Sequence, residues 1–144
     1  MNVVVDTNVV FSAILNPNGK ISDLLFNPSL EFTFFAPSFI LDELKKHNQK
    51  LCLISELTEG DLGFLKRSIL SKIKMIDLEG IGPNSWEKAI SLVKGIDEFD
   101  APFVALAIEM DCILWTGDKK LKKGLEKLGI TWVVDTNQLL DMKS

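Results

Sequence analysis

The stretch Val3-Val4-Val5-Asp6-Thr7-Asn8 decides the fold, because it joins a buried strand directly to an acid. Three consecutive β-branched apolar residues predict a short strand. A continuous apolar run, without polar alternation, is typical of a strand that is covered on both faces, as in a parallel sheet. The carboxylate of Asp6 is therefore expected at the edge of the sheet where this strand ends.

Short apolar runs alternate with longer helical patterns along the rest of the chain. Strands are predicted at residues 3–5, 32–35, 74–78, 113–116 and 131–134. Helices are predicted at residues 9–15, 21–26, 38–46, 62–73, 85–93, 101–110 and 119–128, with Ser85 as an N-cap. This alternation predicts an α/β fold with a mainly parallel sheet of about five strands, covered on both faces. No repeat or composition break is visible, so residues 1–144 are predicted to form a single domain.

Composition narrows the class of protein. The 144 residues are 47% hydrophobic and 25% charged, as in soluble globular proteins. No apolar run is long enough to span a bilayer and no signal peptide is visible, so we expect a cytoplasmic protein with no membrane partner. The single histidine, His47, excludes a site built from several imidazoles. The net charge of −4 argues against a generally basic surface, although the local distribution of charge matters more.

Four acids lie where they could meet at one edge of the sheet: Asp6, Glu43, Asp100 and Asp118. Asp118 follows the fourth predicted strand, and ligands bind beyond the carboxyl ends of parallel strands. Carboxylates gathered within a few ångströms repel one another, and a divalent cation reverses that penalty. Oxygen ligands suit Mg²⁺ or Mn²⁺. The pattern therefore favours metal-assisted hydrolysis of a phosphodiester.

Each acid taken alone also has a structural interpretation. Asp6, Asp100 and Asp118 all precede predicted helices, where an aspartate commonly serves as the N-cap. Glu43 lies in a helix at the border of its apolar face, where an exposed glutamate is the usual case. Both interpretations stay open for each acid at this point.

Four motifs in order resemble a PIN-domain nuclease, and the resemblance covers essentially the whole chain. They are Asp6-Thr7-Asn8, Pro37 followed by Glu43-Leu44, Asp100-Ala-Pro-Phe-Val-Ala-Leu-Ala107, and Trp115-Thr116-Gly117-Asp118. The resemblance implies a three-layer α/β/α sandwich, an acidic pocket that binds Mg²⁺ or Mn²⁺, and endonucleolytic cleavage of RNA.

The resemblance also implies roles for individual residues. Asp6, Glu43, Asp100 and Asp118 would form the catalytic acidic quartet. Asp6, Asp100 and Asp118 would ligate the metal, and Glu43 would bind metal or orient the water. Asn8 and Thr116 would be polar support, with Asp97 as an auxiliary acid. Many members are toxin halves of VapBC-type toxin–antitoxin pairs and are homodimers, so an antitoxin protein and a second copy are expected partners.

A run of lysines follows Asp118, at Lys119, Lys120, Lys122, Lys123 and Lys127. Leu121, Leu125 and Leu128 are predicted to form the inward face of the same helix. The lysines would then point outward, as a solvated face or as a surface that binds the RNA backbone.

Other functions fit the sequence less well. A phosphatase of the haloacid-dehalogenase type needs a second aspartate two residues after the first, and Asn8 occupies that place. A response regulator needs a phosphoacceptor aspartate in the middle of the sheet, and none is apparent. A catalytically inactive PIN-like module that binds RNA or protein remains the alternative, and it predicts that Asp6 and Asp118 are dispensable.

Overall fold

A computed structural model of the protein describes residues 1–27 and 32–142, which are built around one five-stranded sheet. The strand order is β3-β2-β1-β4-β5, and every neighbouring pair is parallel. The strands are β1 Asn2–Val5, β2 Thr33–Pro37, β3 Ile73–Ile76, β4 Ile113–Trp115 and β5 Val133–Val134. Since β1 lies at the centre of the sheet, its carboxyl end has strands on both sides.

Helices cover both faces of the sheet. They are α1 Thr7–Leu15, α2 Lys20–Phe26, α3 Phe39–Lys46, α4 Asn48–Ser55, α5 Glu59–Leu70, α6 Pro83–Val93, α7 Ala101–Met110, α8 Lys119–Lys127 and α9 Thr136–Met142. Short 3-10 helices lie at Leu78–Gly80 and Glu98–Asp100. α7 packs on β1, β2 and β4 and against α6, whereas α1 contacts α2, α3, α4 and α5. The predicted three-layer α/β/α fold is therefore confirmed.

The centre of the sheet is fully buried, which makes its carboxyl edge a firm support for side chains. Val3, Val4 and Val5 in β1 have no exposed surface, as expected for a strand covered on both faces. Trp115 at the end of β4 is equally buried, and its Nε1 donates a hydrogen bond to Thr136 Oγ1 at 3.0 Å. The indole nitrogen thus has the partner that a buried donor requires.

Among the predicted boundaries that differ from the structure, two change the role of a named residue. The helix expected at residues 62–73 ends at Leu70, and Ile73 instead begins β3, where it pairs with Phe34. An isoleucine suits a buried strand as well as a helix face, so pairing with β2 decides that Ile73 lies in a strand. Ser85 is not the N-cap of α6, because the helix begins two residues earlier at Pro83 with Gly82 as its cap.

Other differences concern the ends of elements. The predicted pattern omitted α4 and α9, and it placed Leu128 on the inward face of α8. Leu128 is 57% exposed, because α8 ends at Lys127 and the chain turns at Gly129, where φ is +82°.

Within the described ranges, no helix is both long and apolar enough to cross a membrane.

Candidate functional site

The candidate site lies where β1 and β4 end side by side. Val5 pairs with Trp115, and the backbone N–H of Asp6 donates to the Trp115 carbonyl at 3.0 Å. The next residue of that chain segment, Thr116, donates its hydroxyl to Asp6 Oδ2 at 2.7 Å. The parallel sheet therefore brings residues 110 positions apart in sequence into direct contact.

Asp6 occupies the N-cap position of α1, but its carboxylate does not cap the helix. Its Oδ2 accepts hydrogen bonds from Thr116 Oγ1 and, at 3.5 Å, from Asn8 Nδ2. The side chain is buried, with 3% of the residue exposed. The pKa of Asp6 is raised to about 7, chiefly by burial; the hydrogen bond from Thr116 opposes this rise, and the charges of Glu43 and Asp118 contribute to it.

Asn8 and Thr116 tie the two strand–helix junctions together. Asn8 Nδ2 donates to Thr116 Oγ1 at 3.4 Å, and Asn8 Oδ1 accepts from the Gly117 N–H at 2.9 Å. Thr116 Oγ1 also accepts from the Asp118 N–H at 3.0 Å. Both residues thus lie beside the acids, where the resemblance places polar support, and their contribution to activity stays a prediction.

Asp118 does cap a helix. Its Oδ1 accepts from the N–H groups of Lys120 at 2.9 Å and Leu121 at 3.1 Å, at the start of α8. A carboxylate has two oxygens with several lone pairs, so capping by one oxygen leaves capacity for a cation. The structural and the functional interpretations of Asp118 are compatible.

Asp97, Asp100 and Asp118 form the tightest group of possible metal ligands among the described residues. Each offers one carboxylate oxygen, and these oxygens all lie within 4.8 Å of one another. Asp97 is the N-cap of the 3-10 helix Glu98–Asp100 and Asp100 is its last residue, and Asp97 Oδ1 accepts from the Phe99 N–H at 3.1 Å. The resemblance assigned Asp97 only an auxiliary place, whereas the geometry puts it directly beside Asp100 and Asp118.

Asp100 provides the strongest argument that the site suits a cation. Its Oδ2 is buried and has no hydrogen-bond partner within residues 1–27 and 32–142. Burial, together with the charges of Asp6, Asp97, Asp118 and Glu43, raises the pKa of Asp100 to about 8. Buried polar atoms in proteins are normally satisfied, and a divalent cation would satisfy this one while reversing the repulsion. The donor set therefore fits a hard cation such as Mg²⁺ or Mn²⁺.

Glu43 reaches this group from α3. Its Oε1 accepts a hydrogen bond from Thr7 Oγ1 at 2.7 Å, and its charge raises the pKa of both Asp6 and Asp100. Sequence reasoning did not single out Thr7 as a residue of the site. The signal that could have identified it is its place between Asp6 and Asn8, at the same edge of the sheet.

The structure thus brings five carboxylates together, which we call the acidic cluster: Asp6, Glu43, Asp97, Asp100 and Asp118. The arrangement differs from the expected ligand set in one respect. Asp97 belongs to the tight group, whereas Asp6 does not, and Asp6 Oδ2 is already held by Thr116. Asp6 would therefore offer an ion its other carboxylate oxygen, Oδ1.

The lysines of α8 fall into two classes. Lys122 is half-buried, and its Nζ contacts Glu126 Oε1 at 2.6 Å and Asp135 Oδ2 at 3.8 Å. It is therefore engaged within the protein, which makes it a weaker candidate for RNA binding than the other lysines of α8, and its predicted role stays a prediction. Lys119, Lys120, Lys123 and Lys127 are exposed, and the last three line a groove with Lys94, a residue that the sequence pattern did not single out.

Comparison with known proteins places this geometry in a family. The sequence profile of the PIN domain matches residues 4–140. An uncharacterised protein of Methanocaldococcus jannaschii is 36% identical over 126 residues, which cover 84% of this chain and 73% of that protein.

Solved structures share the fold at low sequence identity. VapBC2 from Rickettsia felis, bound to a DNA fragment from its promoter, has a TM-score of 0.72 and 17% identity, over 94% of this chain and 98% of that one. A toxin–antitoxin complex from Klebsiella pneumoniae has a TM-score of 0.60 and 18% identity, over 93% of this chain and 97% of that one.

Proposed function

The chain belongs to the PIN-domain family, and we propose that it is a metal-dependent endoribonuclease that hydrolyses RNA phosphodiester bonds. The observation that carries the proposal is the acidic cluster, and within it the buried Asp100 Oδ2 that lacks a partner in the described chain. A cluster of like charges at the carboxyl edge of a parallel sheet is hard to explain by stability alone.

The residues divide into those that would hold the ion and those that position water. Asp97, Asp100 and Asp118 would hold Mg²⁺ or Mn²⁺, and Asp6 would complete the ligand set. The bound ion would supply Lewis-acid polarisation of the phosphate and a lower pKa for water. Glu43 is oriented by the hydrogen bond that its Oε1 accepts from Thr7, so its Oε2 is the atom that accepts a proton from the attacking water.

The test is cleavage of a mixed RNA pool with Mg²⁺ or Mn²⁺, with and without EDTA, by the wild type and by Asp100→Asn. We expect EDTA to abolish cleavage and Asp100→Asn to lower its rate at least about 100-fold. This loss is at the upper end of the effect of mutating a residue that only hydrogen-bonds to a metal ligand. Full activity in Asp100→Asn would exclude this mechanism.

Asp111→Asn is the matched control. Asp111 is exposed at the end of α7, outside the acidic cluster, and its φ of +50° is a conformation that asparagine tolerates. The substitution removes the same charge without touching the site, so the variant should cleave RNA at the wild-type rate. If the control lost as much cleavage rate as Asp100→Asn, the effect would come from overall charge and not from the site.

We also propose that the protein is the toxin of a cytoplasmic toxin–antitoxin pair and forms a homodimer. The support is the shared fold with VapBC2 and with the Klebsiella pneumoniae complex. Expression of the chain alone should arrest growth, and co-expression with the product of the adjacent gene should relieve the arrest. Light scattering of the purified protein should give twice the mass of one chain; a monomer would contradict the homodimer.

A further inference from the structure

Phe99 is an aromatic residue that neighbours the acidic cluster in the chain, with 77% of its surface exposed. It lies in the 3-10 helix Glu98–Asp100, directly before one member of the cluster, Asp100, and two residues after another, Asp97. Single exposed apolar residues are common in proteins and usually mean nothing. The position of this one is informative, because any phosphate held at the cluster would bring its neighbouring bases close to the Phe99 ring.

The backbone on both sides of Phe99 is held in place. Its N–H donates to Asp97 Oδ1 at 3.1 Å, and the Asp100 N–H donates to the Asp97 carbonyl at 3.2 Å. Ala101 then begins α7, most of which is buried against the sheet. The aromatic side chain therefore projects from a support that is fixed relative to the acids, as a positioning residue requires.

A lysine groove begins beside the same acids. It holds about 480 Å³, and its cationic side chains are Lys94, Lys120, Lys123 and Lys127. One wall includes Ile96, which immediately precedes Asp97, and the other includes Lys120, whose N–H is bonded to Asp118. Both walls of the lysine groove thus start next to members of the acidic cluster.

Two glycines give the lysine groove its shape. Gly95 has φ of +81°, which lets the chain turn sharply after α6. Gly124 lets α8 approach this turn, since a Cβ at that position would lie 2.6 Å from Ile96 Cδ1. Lysines from two separate parts of the chain consequently face one groove.

The four lysines carry charge that is available to a ligand. In the part of the chain that the structure describes, both ion pairs involve Lys122, and none involves a lysine of the groove. Phosphates of a nucleic-acid backbone complement such a row of cations, and unpaired bases stack on exposed aromatic rings.

We propose that Phe99 positions the RNA substrate by stacking on one of its bases, while the lysine groove holds the adjoining phosphates. This role rests on the proposed function, because the aligned strand is the one that the acidic cluster would cleave. Phe99 and the lysine groove would select and align that strand. A base within a duplex is already stacked on both faces and is not available to Phe99. The same contact therefore makes the site selective for unpaired RNA.

The test measures binding without cleavage, by fluorescence anisotropy of a short labelled single-stranded RNA in EDTA. Phe99→Ala should weaken binding about 5- to 150-fold, the range for loss of one base–aromatic stack. Phe99→Trp should retain affinity, and the tryptophan emission should change when RNA is added. Phe64→Ala is the matched control, because Phe64 is 68% exposed on α5 and should not affect binding.

The salt dependence of binding tests the lysine groove independently. Lys94→Gln, Lys123→Gln and Lys127→Gln should each reduce the slope of log K against log salt by about 0.7, one phosphate contact on a single strand. Lys122→Gln should leave the slope unchanged, because that lysine is already paired with Glu126. An unchanged slope in the groove variants would overturn this half of the proposal.

The outcomes separate the inference from the proposed function. Phe99→Ala that binds as tightly as Phe64→Ala overturns base stacking, even if the wild type cleaves RNA with Mg²⁺. Conversely, a wild type that shows the expected binding pattern but no metal-dependent cleavage supports the positioning role and contradicts the nuclease. Equal loss of affinity for a fully paired duplex in Phe99→Ala would also contradict stacking on an unpaired base.

Discussion

Asp6 and Asp118 occupy matching places in the chain, each after a buried strand and before a helix, yet their carboxylates make different contacts. Asp118 Oδ1 caps α8 through two backbone N–H groups. Asp6 makes no capping bond and is held instead by Thr116, with 3% of its surface exposed. The same local pattern therefore yields one acid that stabilises the fold and one whose ionisation destabilises it.

The difference comes from what surrounds each junction. α8 is an exposed amphipathic helix whose first N–H groups need an acceptor, and Asp118 supplies it. The start of α1 is buried, so the charge of Asp6 is desolvated and lies near other acids. Four substitutions test this contrast, from the largest expected effect to the smallest.

The largest effect should be on catalysis, and there the two acids should behave alike. Asp6→Asn and Asp118→Asn each remove one charge from the acidic cluster, so each should lower RNA cleavage at least about 100-fold. Initial rates with Mg²⁺ or Mn²⁺ measure this. Asp42→Asn, an exposed neighbour of Glu43 on α3, is the control and should leave the rate unchanged. Cleavage that survives at the wild-type rate in either variant would contradict the metal-dependent mechanism.

Asp6→Asn should raise the free energy of unfolding, whereas most substitutions lower it. The folded pKa of Asp6 is about 7, above the ordinary 3.8, so the folded state holds a proton that the unfolded state has lost. Stability of the metal-free protein therefore falls as pH rises from about 4 to about 7, and the penalty is complete above that. Removing the acid should recover on the order of a few kcal/mol above pH 7.

Urea denaturation in EDTA, from about pH 5 to about pH 8, measures this gain. The difference between Asp6→Asn and wild type should grow with pH and shrink when Mg²⁺ is added, because the cation offsets the charge. A difference that stays constant with pH would contradict the raised pKa.

Thr116→Val should disturb both junctions at once. The Thr116 hydroxyl donates to Asp6 and accepts from Asn8 and from the Asp118 N–H, and the residue is 1% exposed. Its loss should cost about 1–3 kcal/mol of unfolding free energy, as expected for unsatisfied buried groups. Because the hydroxyl lowers the pKa of Asp6, the pH dependence of cleavage should also move upward. Thr116→Ser keeps the hydroxyl and should lose much less of the free energy of unfolding.

The smallest of the four effects belongs to capping by Asp118. Asp118→Ala should destabilise the protein by about 0.5–2 kcal/mol, the usual loss for an N-cap, whereas Asp118→Asn should be nearly neutral because asparagine caps equally well. Thermal denaturation of both variants in EDTA measures the difference. If the alanine and asparagine variants unfold at the same temperature, the capping contribution is absent.

Much of the fold and part of the candidate site could be predicted from the sequence. β1 and β4 are continuous apolar runs without polar alternation, a pattern that indicates strands covered on both faces, as in a parallel sheet. Once both strands are parallel, Asp6 and Asp118 must share an edge. By contrast, α9 lacked a pattern strong enough to predict, and Ile73 satisfied a helix and a strand equally well.

The sequence by itself therefore determined the layers, the strands and the edge at which the acids gather, because the hydrophobic pattern of each element is a property of the local sequence. Only the tertiary structure decided which atoms meet. The bond from Thr7 to Glu43, the approach of Asp97 to Asp118 and the addition of Lys94 to the α8 lysines all join distant segments. Such contacts depend on how helices pack on the sheet, and no local pattern encodes that packing.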